Sequence, residues 1–168
     1  MMYNNYQLSL NDISKGNFLQ EINIKDSFFE DFSYSEIKST NITATIKSEK
    51  IGKEISLSIA LDGWVNNLLC DLCAGNLSIK IFSKTNFILK YTAQKLESND
   101  EIIYVKPNQN RLSLKHLLFE LIILSIPNKR QHENKECSYE MVELIKKYKK
   151  QEKKASDPRW DVLKKLKE

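Results

Sequence analysis

Apolar and polar positions alternate through the middle of this chain. Ile42, Ala44 and Ile46 alternate with polar residues, and Ile55, Leu57, Ile59 and Leu61 do so again without a break. Such period-2 alternation sets one face of a strand in a core and the other in water. The intervening SEKIGKE, which contains Gly52, predicts a hairpin loop. Asp62-Gly63 fits either a second tight turn or, because Trp64 and Val65 follow at once, a bulge or bend inside a long strand. Leu77, Ile79 and Ile81 alternate next, then Phe87, Leu89 and Tyr91, and Ile102 to Val105 makes a last short strand. Upstream, Gln7 to Leu10 and Phe18 to Ile24 predict two further strands, and SFFEDF (27–32) a single helical turn.

The period then changes from two to about 3.6. Ser113 is placed to cap a helix carrying Leu114, Leu117, Leu118, Leu121 and Ile122 on one stripe, with Pro127 ending it. Ser138 is placed to cap a second helix, from Tyr139 to about Lys154, whose Met141, Leu144, Ile145 and Tyr148 form a narrow stripe on a charged rod. Asp157-Pro158 starts a third, short helix with Trp160, Leu163 and Leu166 on one side. Together these elements predict an α+β fold: a curved antiparallel β-sheet covered by a central helix, with a Lys-rich helical C-terminal extension. Residues 1–137 are expected to form the core domain and residues 138–168 the extension.

At 168 residues the chain can bury a core without disulfides. The MMYNNYQLSL start has neither a basic nor an apolar export region, so the expected compartment is the cytosol, where thiols stay reduced. The longest apolar run, 117–126, is too short to span a bilayer, so no membrane partner is expected. Charge sharpens the division of the chain. Residues 141–168 hold ten basic and five acidic residues, leaving 16 basic against 17 acidic in residues 1–140. A basic appendage on a neutral body is one way to hold a polyanion; a solvated Lys-rich helix is the plainer alternative.

LLCDLCAGNLSIK (68–80) adds candidate chemistry. A thioredoxin-like C-x-x-C needs its first sulfur at a helix N-terminus, whereas strand-like sequence flanks this one. C-x-x-C-x-G between strands suits a zinc knuckle instead. A tetrahedral structural zinc needs two more ligands, and His132 and Cys137 in QHENKEC have a spacing that zinc sites use. His116 lies in the apolar helix and reads as an ordinary partly buried histidine. Cys70, Cys73, His132 and Cys137 are therefore the candidate set for one structural zinc. The competing reading is a cysteine pair packed in a turn, with an unrelated His and Cys on a polar loop. No glycine-rich phosphate loop, H-E-x-x-H or G-x-S-x-G occurs. The acidic cluster Asp26, Glu30, Asp31 and Glu36 reads as solvated loop carboxylates rather than a cation site.

SFFEDFSYSEI (27–37), LDGWV before CDLC, ELIILSIPNKRQH (120–132) and the terminal DPRWDVLKKLK together resemble the YceD-like family, small bacterial and plastid proteins linked to accumulation of large-subunit ribosomal RNA, and most closely its Bacteroidetes branch. Cys70 and Cys73 fall on that family's C-D-R-C motif, and Pro127 and His132 on its L-P-x-x-x-x-H segment. Asp157, Pro158, Arg159, Trp160, Leu163 and Leu166 fall on its D-P-R-W-x-x-L-x-x-L. Leu72 stands where the family commonly has arginine, and Gln131 where an apolar residue is usual. The resemblance implies a cytoplasmic, non-enzymatic factor in large-subunit production, partnered by large-subunit ribosomal RNA or a ribosomal protein.

The residues permit that role. Lys146, Lys147, Lys149, Lys150, Lys153 and Lys154 would supply sequence-independent phosphate contacts. Arg159 and Trp160 would stack on an exposed base, or Trp160, Leu163 and Leu166 would anchor a helix in a protein groove. The alternatives are a protein–protein adaptor that touches no RNA and, behind it, a C-x-x-C thiol oxidoreductase or a metal-dependent RNA-processing enzyme.

Overall fold

The computed structural model describes residues 6–15, 17–52, 54–94, 96–97, 101–132 and 136–148. In chain order these form β1 (Gln7–Ser9), α1 (Leu10–Ser14), β2 (Phe18–Lys25), a 3-10 helix (Asp26–Asp31), β3 (Ser39–Ile51), β4 (Glu54–Leu69), β5 (Asn76–Tyr91), β6 (Ile102–Val105), β7 (Arg111–Ser113), α2 (Lys115–Ser125) and α3 (Tyr139–Tyr148). The main sheet is open, in the order β2-β3-β4-β5-β6, and β1 pairs with β7 in a separate ribbon. The fold is α+β with a mostly antiparallel sheet, as the alternation predicts. Among the described residues no helix is long and apolar enough to cross a membrane.

The strands are longer than the sequence pattern suggests. The expected SEKIGKE loop shrinks to a two-residue turn, because Ile51 already pairs with Glu54. Gly52 takes the left-handed backbone (φ 62°) that such a turn needs. Asp62-Gly63 is not a turn: β4 runs through it. The two alternating stretches after the cysteines are one continuous strand, β5. The last short strand joins β5 in parallel, Ile88 to Val105 pairing over four residues of each strand. One-sided alternation carries no sign of this, since a four-residue strand reads alike in either direction.

Ile42, Ala44 and Ile46 of β3, Ile55, Leu57, Ile59 and Leu61 of β4, and Ile81, Phe87 and Leu89 of β5 all face the core. α2 lies on that face with Leu118, Phe119, Leu121 and Ile122 buried. SFFED lies in the 3-10 helix and Phe32 follows it, and Phe28, Phe29 and Phe32 all join the core. Phe32 stacks on Phe119 with ring centroids 4.1 Å apart and planes 8° from parallel. Lys115 of α2 also pairs with Asp31.

Ser113 does not cap α2. It pairs with Gln7 in the β1–β7 ribbon, and Leu114 occupies the N-cap position without a side-chain cap bond. The ribbon's demand for one more paired residue overrides the capping preference, and burial of Leu114 moves the helix start along. The C-terminal end is as predicted: Ile126, before Pro127, is extended (φ −78°, ψ 128°). Ser138 does begin α3, its carbonyl accepting the Val142 N–H at 3.1 Å, but no residue of α3 is buried.

One glycine determines how closely β3 and β4 approach. A Cβ built on Gly63 would lie 2.2 Å from the Asn41 carbonyl oxygen and 2.5 Å from the Ile42 Cα. These are backbone atoms of a central strand and cannot swing aside. Gly63→Ala is therefore expected to lower stability by at least about 2 kcal/mol, read as a reduced urea midpoint with an unchanged slope.

Candidate metal centre at the end of the sheet

In β4 the buried positions are odd-numbered from Ile55 to Val65, and then become even at Leu68. The cause is a bulge: Val65 pairs with Ile79 and Leu68 with Leu77, so Asn66 and Asn67 together oppose Ser78. Asn67 takes the left-handed conformation (φ 56°) that asparagine tolerates better than most residues. The extra residue reverses the pleat, so that Cys70 turns inward although Trp64, also even-numbered, faces solvent.

Cys70 opens a turn between two strands, not a helix. Its N–H donates to the Gly75 carbonyl at 2.9 Å, and its carbonyl accepts the Ala74 N–H at 2.9 Å. Ala74 is held in a left-handed conformation (φ 54°), an arrangement that costs an alanine about 1 kcal/mol and persists because these bonds close the turn. Gly75 leaves space where a Cβ would meet the Cys73 sulfur at 3.3 Å and the His132 ring at 3.5 Å.

The chain after α2 returns to this turn. Asp71 Oδ2 accepts the Arg130 N–H at 2.7 Å, and the Asp71 N–H donates to the Arg130 carbonyl at 2.7 Å. The Arg130 guanidinium reaches Glu36 at 2.6 Å and Asp71 at 3.6 Å. This two-way clasp delivers His132 and Cys137 to the cysteine pair. Cys70, Cys73, His132 and Cys137 then form a group whose ligand atoms all lie within 4.8 Å of one another. His116 is not part of it and packs edge-on against Phe32.

The spacings suit a tetrahedral ion. Bonds of about 2.3 Å to sulfur and about 2.0–2.1 Å to nitrogen place ligand atoms about 3.8 Å (S···S) and about 3.5 Å (S···N) apart. The Cys70 and Cys137 sulfurs are 3.7 Å apart. His132 Nδ1 lies 3.4 Å from the Cys73 sulfur and 3.5 Å from that of Cys137. His132 Nε2 is 2.9 Å from the Asn76 carbonyl, which takes its proton and leaves Nδ1 free to ligate, the outer bond that metal-binding histidines commonly make.

Electrostatics point the same way. Burial opposes ionisation of Cys70, but the N–H groups of Cys73, Leu72 and His132 bring its thiol down to about 6. The N–H groups of Gly75 and Ser138 lower Cys73 as well. Burial, then contact with Cys70 and Cys73, pushes Cys137 up to about 11. The Asn76 carbonyl holds His132 above its ordinary value against the opposing effect of burial. Two sulfurs thus favour the thiolate while the third is denied it, first by burial and then by its contacts with the other two. A divalent cation removes that conflict.

Other sequence candidates are placed differently. Lys146 and Lys147 are exposed on the last turns of α3. Lys149, Lys150, Lys153, Lys154, Arg159, Trp160, Leu163 and Leu166 lie outside the described residues. Asp26 accepts the Thr40 N–H at 2.8 Å, Asp31 pairs with Lys115 and Glu36 with Arg130, so three members of the acidic cluster serve the fold. Sequence reasoning missed the Asp71–Arg130–Glu36 clasp. Its only signal was an aspartate between the cysteines, because its partners are distant in sequence.

Asp71→Ala removes an acceptor and a charge from that clasp and is expected to cost about 1–2 kcal/mol by chemical denaturation. Asp12→Ala, which breaks an exposed i,i+3 pair with Lys15, should leave the urea midpoint at the parent's value.

A family model described as "Large ribosomal RNA subunit accumulation protein YceD" matches residues 61–167, more than half of the chain. It takes in the second half of β4, the cysteine turn, β5 to β7, α2, His132, Cys137 and α3. SFFEDFSYSEI lies before it. No curated protein and no solved structure matches the chain.

Proposed function

The chain belongs to the family described as large ribosomal RNA subunit accumulation protein YceD, and we propose that it acts in the cytoplasm as a non-enzymatic binding factor in large-subunit production, built around one structural zinc. Family membership carries the cellular role. The zinc reading is carried by three sulfurs and one imidazole nitrogen within 4.8 Å of one another, with the Cys70–Cys137, Cys73–His132 and Cys137–His132 separations matching those around a tetrahedral ion. Cys70, Cys73, His132 and Cys137 would hold the ion. Four protein ligands close the coordination sphere, so the ion supplies rigidity and charge neutralisation rather than a reactive position.

That rigidity bears on the basic extension. Cys137 directly precedes Ser138 and α3, so the metal centre ties the start of this exposed helix to the end of the sheet. Lys146 and Lys147 continue in sequence into Lys149, Lys150, Lys153 and Lys154, a run suited to the phosphates of large-subunit ribosomal RNA. One observation favours a protein partner instead. Met141, Leu144 and Ile145 of α3 are 38%, 47% and 37% exposed, an apolar stripe of the kind that enters a groove on a ribosomal protein.

Metal analysis of the purified chain is expected to give one zinc per molecule. Cobalt(II) should give the spectrum of a tetrahedral thiolate-rich site, lost in Cys137→Ser, and a chelator should lower the melting temperature. Ultraviolet crosslinking in cells, with sequencing of the attached RNA, tests the partner. Crosslinks confined to one region of large-subunit ribosomal RNA, and lost when the six lysines of the 146–154 run are neutralised, are expected. Absence of enriched ribosomal RNA would transfer the role to the protein-partner reading.

A further inference from the structure

The sheet's solvent face holds a pair of aromatic rings that contribute nothing to the core. Of the chain's seven phenylalanines, Phe82 alone is exposed, at 74%; the others are buried or half-buried. Trp64, on the neighbouring strand, is 45% exposed. Both belong to the wet face, because Trp64 lies directly opposite Lys80 and Phe82 opposite Asp62. The two rings are therefore diagonal neighbours, with backbone positions about 7–8 Å apart. Solvent exposure of either ring is unfavourable, and neither meets a ring partner among the described residues.

The surroundings specify a ligand class. Along β5 the outward order is Lys80, Phe82, Lys84; along β4 it is Trp64, Asp62, Ala60. The strands beyond present Asn41, Thr43 and Thr45 of β3 and Asn23 of β2. Phe82 borders a cavity lined by Leu117, Leu121 and Leu124 of α2, while the residues between it and Trp64 on the outer face are polar or charged. Separate rings in a field of lysine, asparagine and threonine suit unpaired nucleotides. Each ring offers a stacking surface, each lysine a phosphate contact, and the amides, hydroxyls and the Asp62 carboxylate can bond base edges. Lys80 is 3.8 Å from Asp62, a loose exposed pair that yields readily to a phosphate. Phe82 stands where β5 has no β6 beside it, since that pairing begins only at Ile88, so the platform is open on one side for a strand to run off.

We propose that the outer face of the sheet around Trp64 and Phe82, with Lys80 and Lys84, is a platform for a single-stranded RNA segment, with bases stacked on the two rings and phosphates on the lysines. This rests on the ribosomal RNA reading above and deepens it. The Lys-rich extension would supply affinity without selection, while the sheet would select unpaired over paired RNA, because a duplex hides the base faces that the rings require.

The test uses the full chain, an unstructured oligouridylate and a perfect RNA duplex. Affinities are read by anisotropy and contacts by mass spectrometry of ultraviolet-crosslinked peptides. Crosslinks at Trp64 or Phe82 are expected with the single strand and not the duplex. Phe82→Ala and Trp64→Ala, exposed positions whose melting temperatures should stay near the parent's, are each expected to weaken single-strand binding by about five- to hundredfold. Lys80→Gln with Lys84→Gln should reduce the salt dependence by about 1.4 in log–log slope. If the parent binds RNA, crosslinks only outside the sheet and is indifferent to both aromatic substitutions, this inference falls while the ribosomal RNA reading stands. If the parent binds neither RNA, both fall; loss of ribosomal association in Phe82→Ala cells would then assign the face to a protein.

Discussion

A β-strand has two faces, and every second residue must go to the same one. β4 obeys this for most of its length and breaks it once, at Asn66 and Asn67. Without that inserted residue Cys70 would share the outer face with Trp64, and the turn that follows would carry its sulfurs away from the loop holding His132. The bulge separates the two chemistries of the strand. Aromatic and basic groups stay on the wet side, and the Cys70 thiol is directed to the packed side.

The clasp on that side works by reciprocity. Asp71 gives its N–H to Arg130 and takes that residue's N–H in return, and Arg130 extends the connection to Glu36. Three stretches of chain, from before β3, between β4 and β5, and after α2, are thereby held at one end of the sheet. The thiols and imidazole meet only because of this. Their charges in turn favour a cation, so the hydrogen-bonded clasp and the ion act together: one brings the ligands near, the other would lock them. α3 starts two residues beyond Cys137 and holds no fully buried residue, so its direction depends more on that junction than on a docked face.

Burial supplies the platform on which this rests. Phe28, Phe29, Phe32 and Phe119 join the 3-10 helix to α2 over the inner face of the sheet. Gly63 lets β3 and β4 close together beneath it. The Cys/His cluster at the sheet end and the exposed rings on its outer face therefore stand on a layered core that a single added methyl group would disturb.

Much was legible before any coordinates. Period-2 alternation located the strands because burying one face leaves an imprint on every second residue, and Ser138 and Pro127 marked helix limits through local backbone chemistry. The four candidate ligands were identified by residue type and local spacing. The sequence could not show that SEKIGKE closes in two residues, that β6 runs parallel to β5, or that Ser113 belongs to a ribbon rather than a cap. The last two depend on partners outside the local sequence, and the first on how far the β3–β4 ladder extends toward its own turn. The same distinction separates the composition of the Cys/His cluster from its assembly in space. Amino-acid chemistry determined which groups can bind a cation. Only tertiary structure decided that they converge, because convergence required a register shift in one strand and an aspartate–arginine clasp across 59 residues, and neither leaves a local periodic trace.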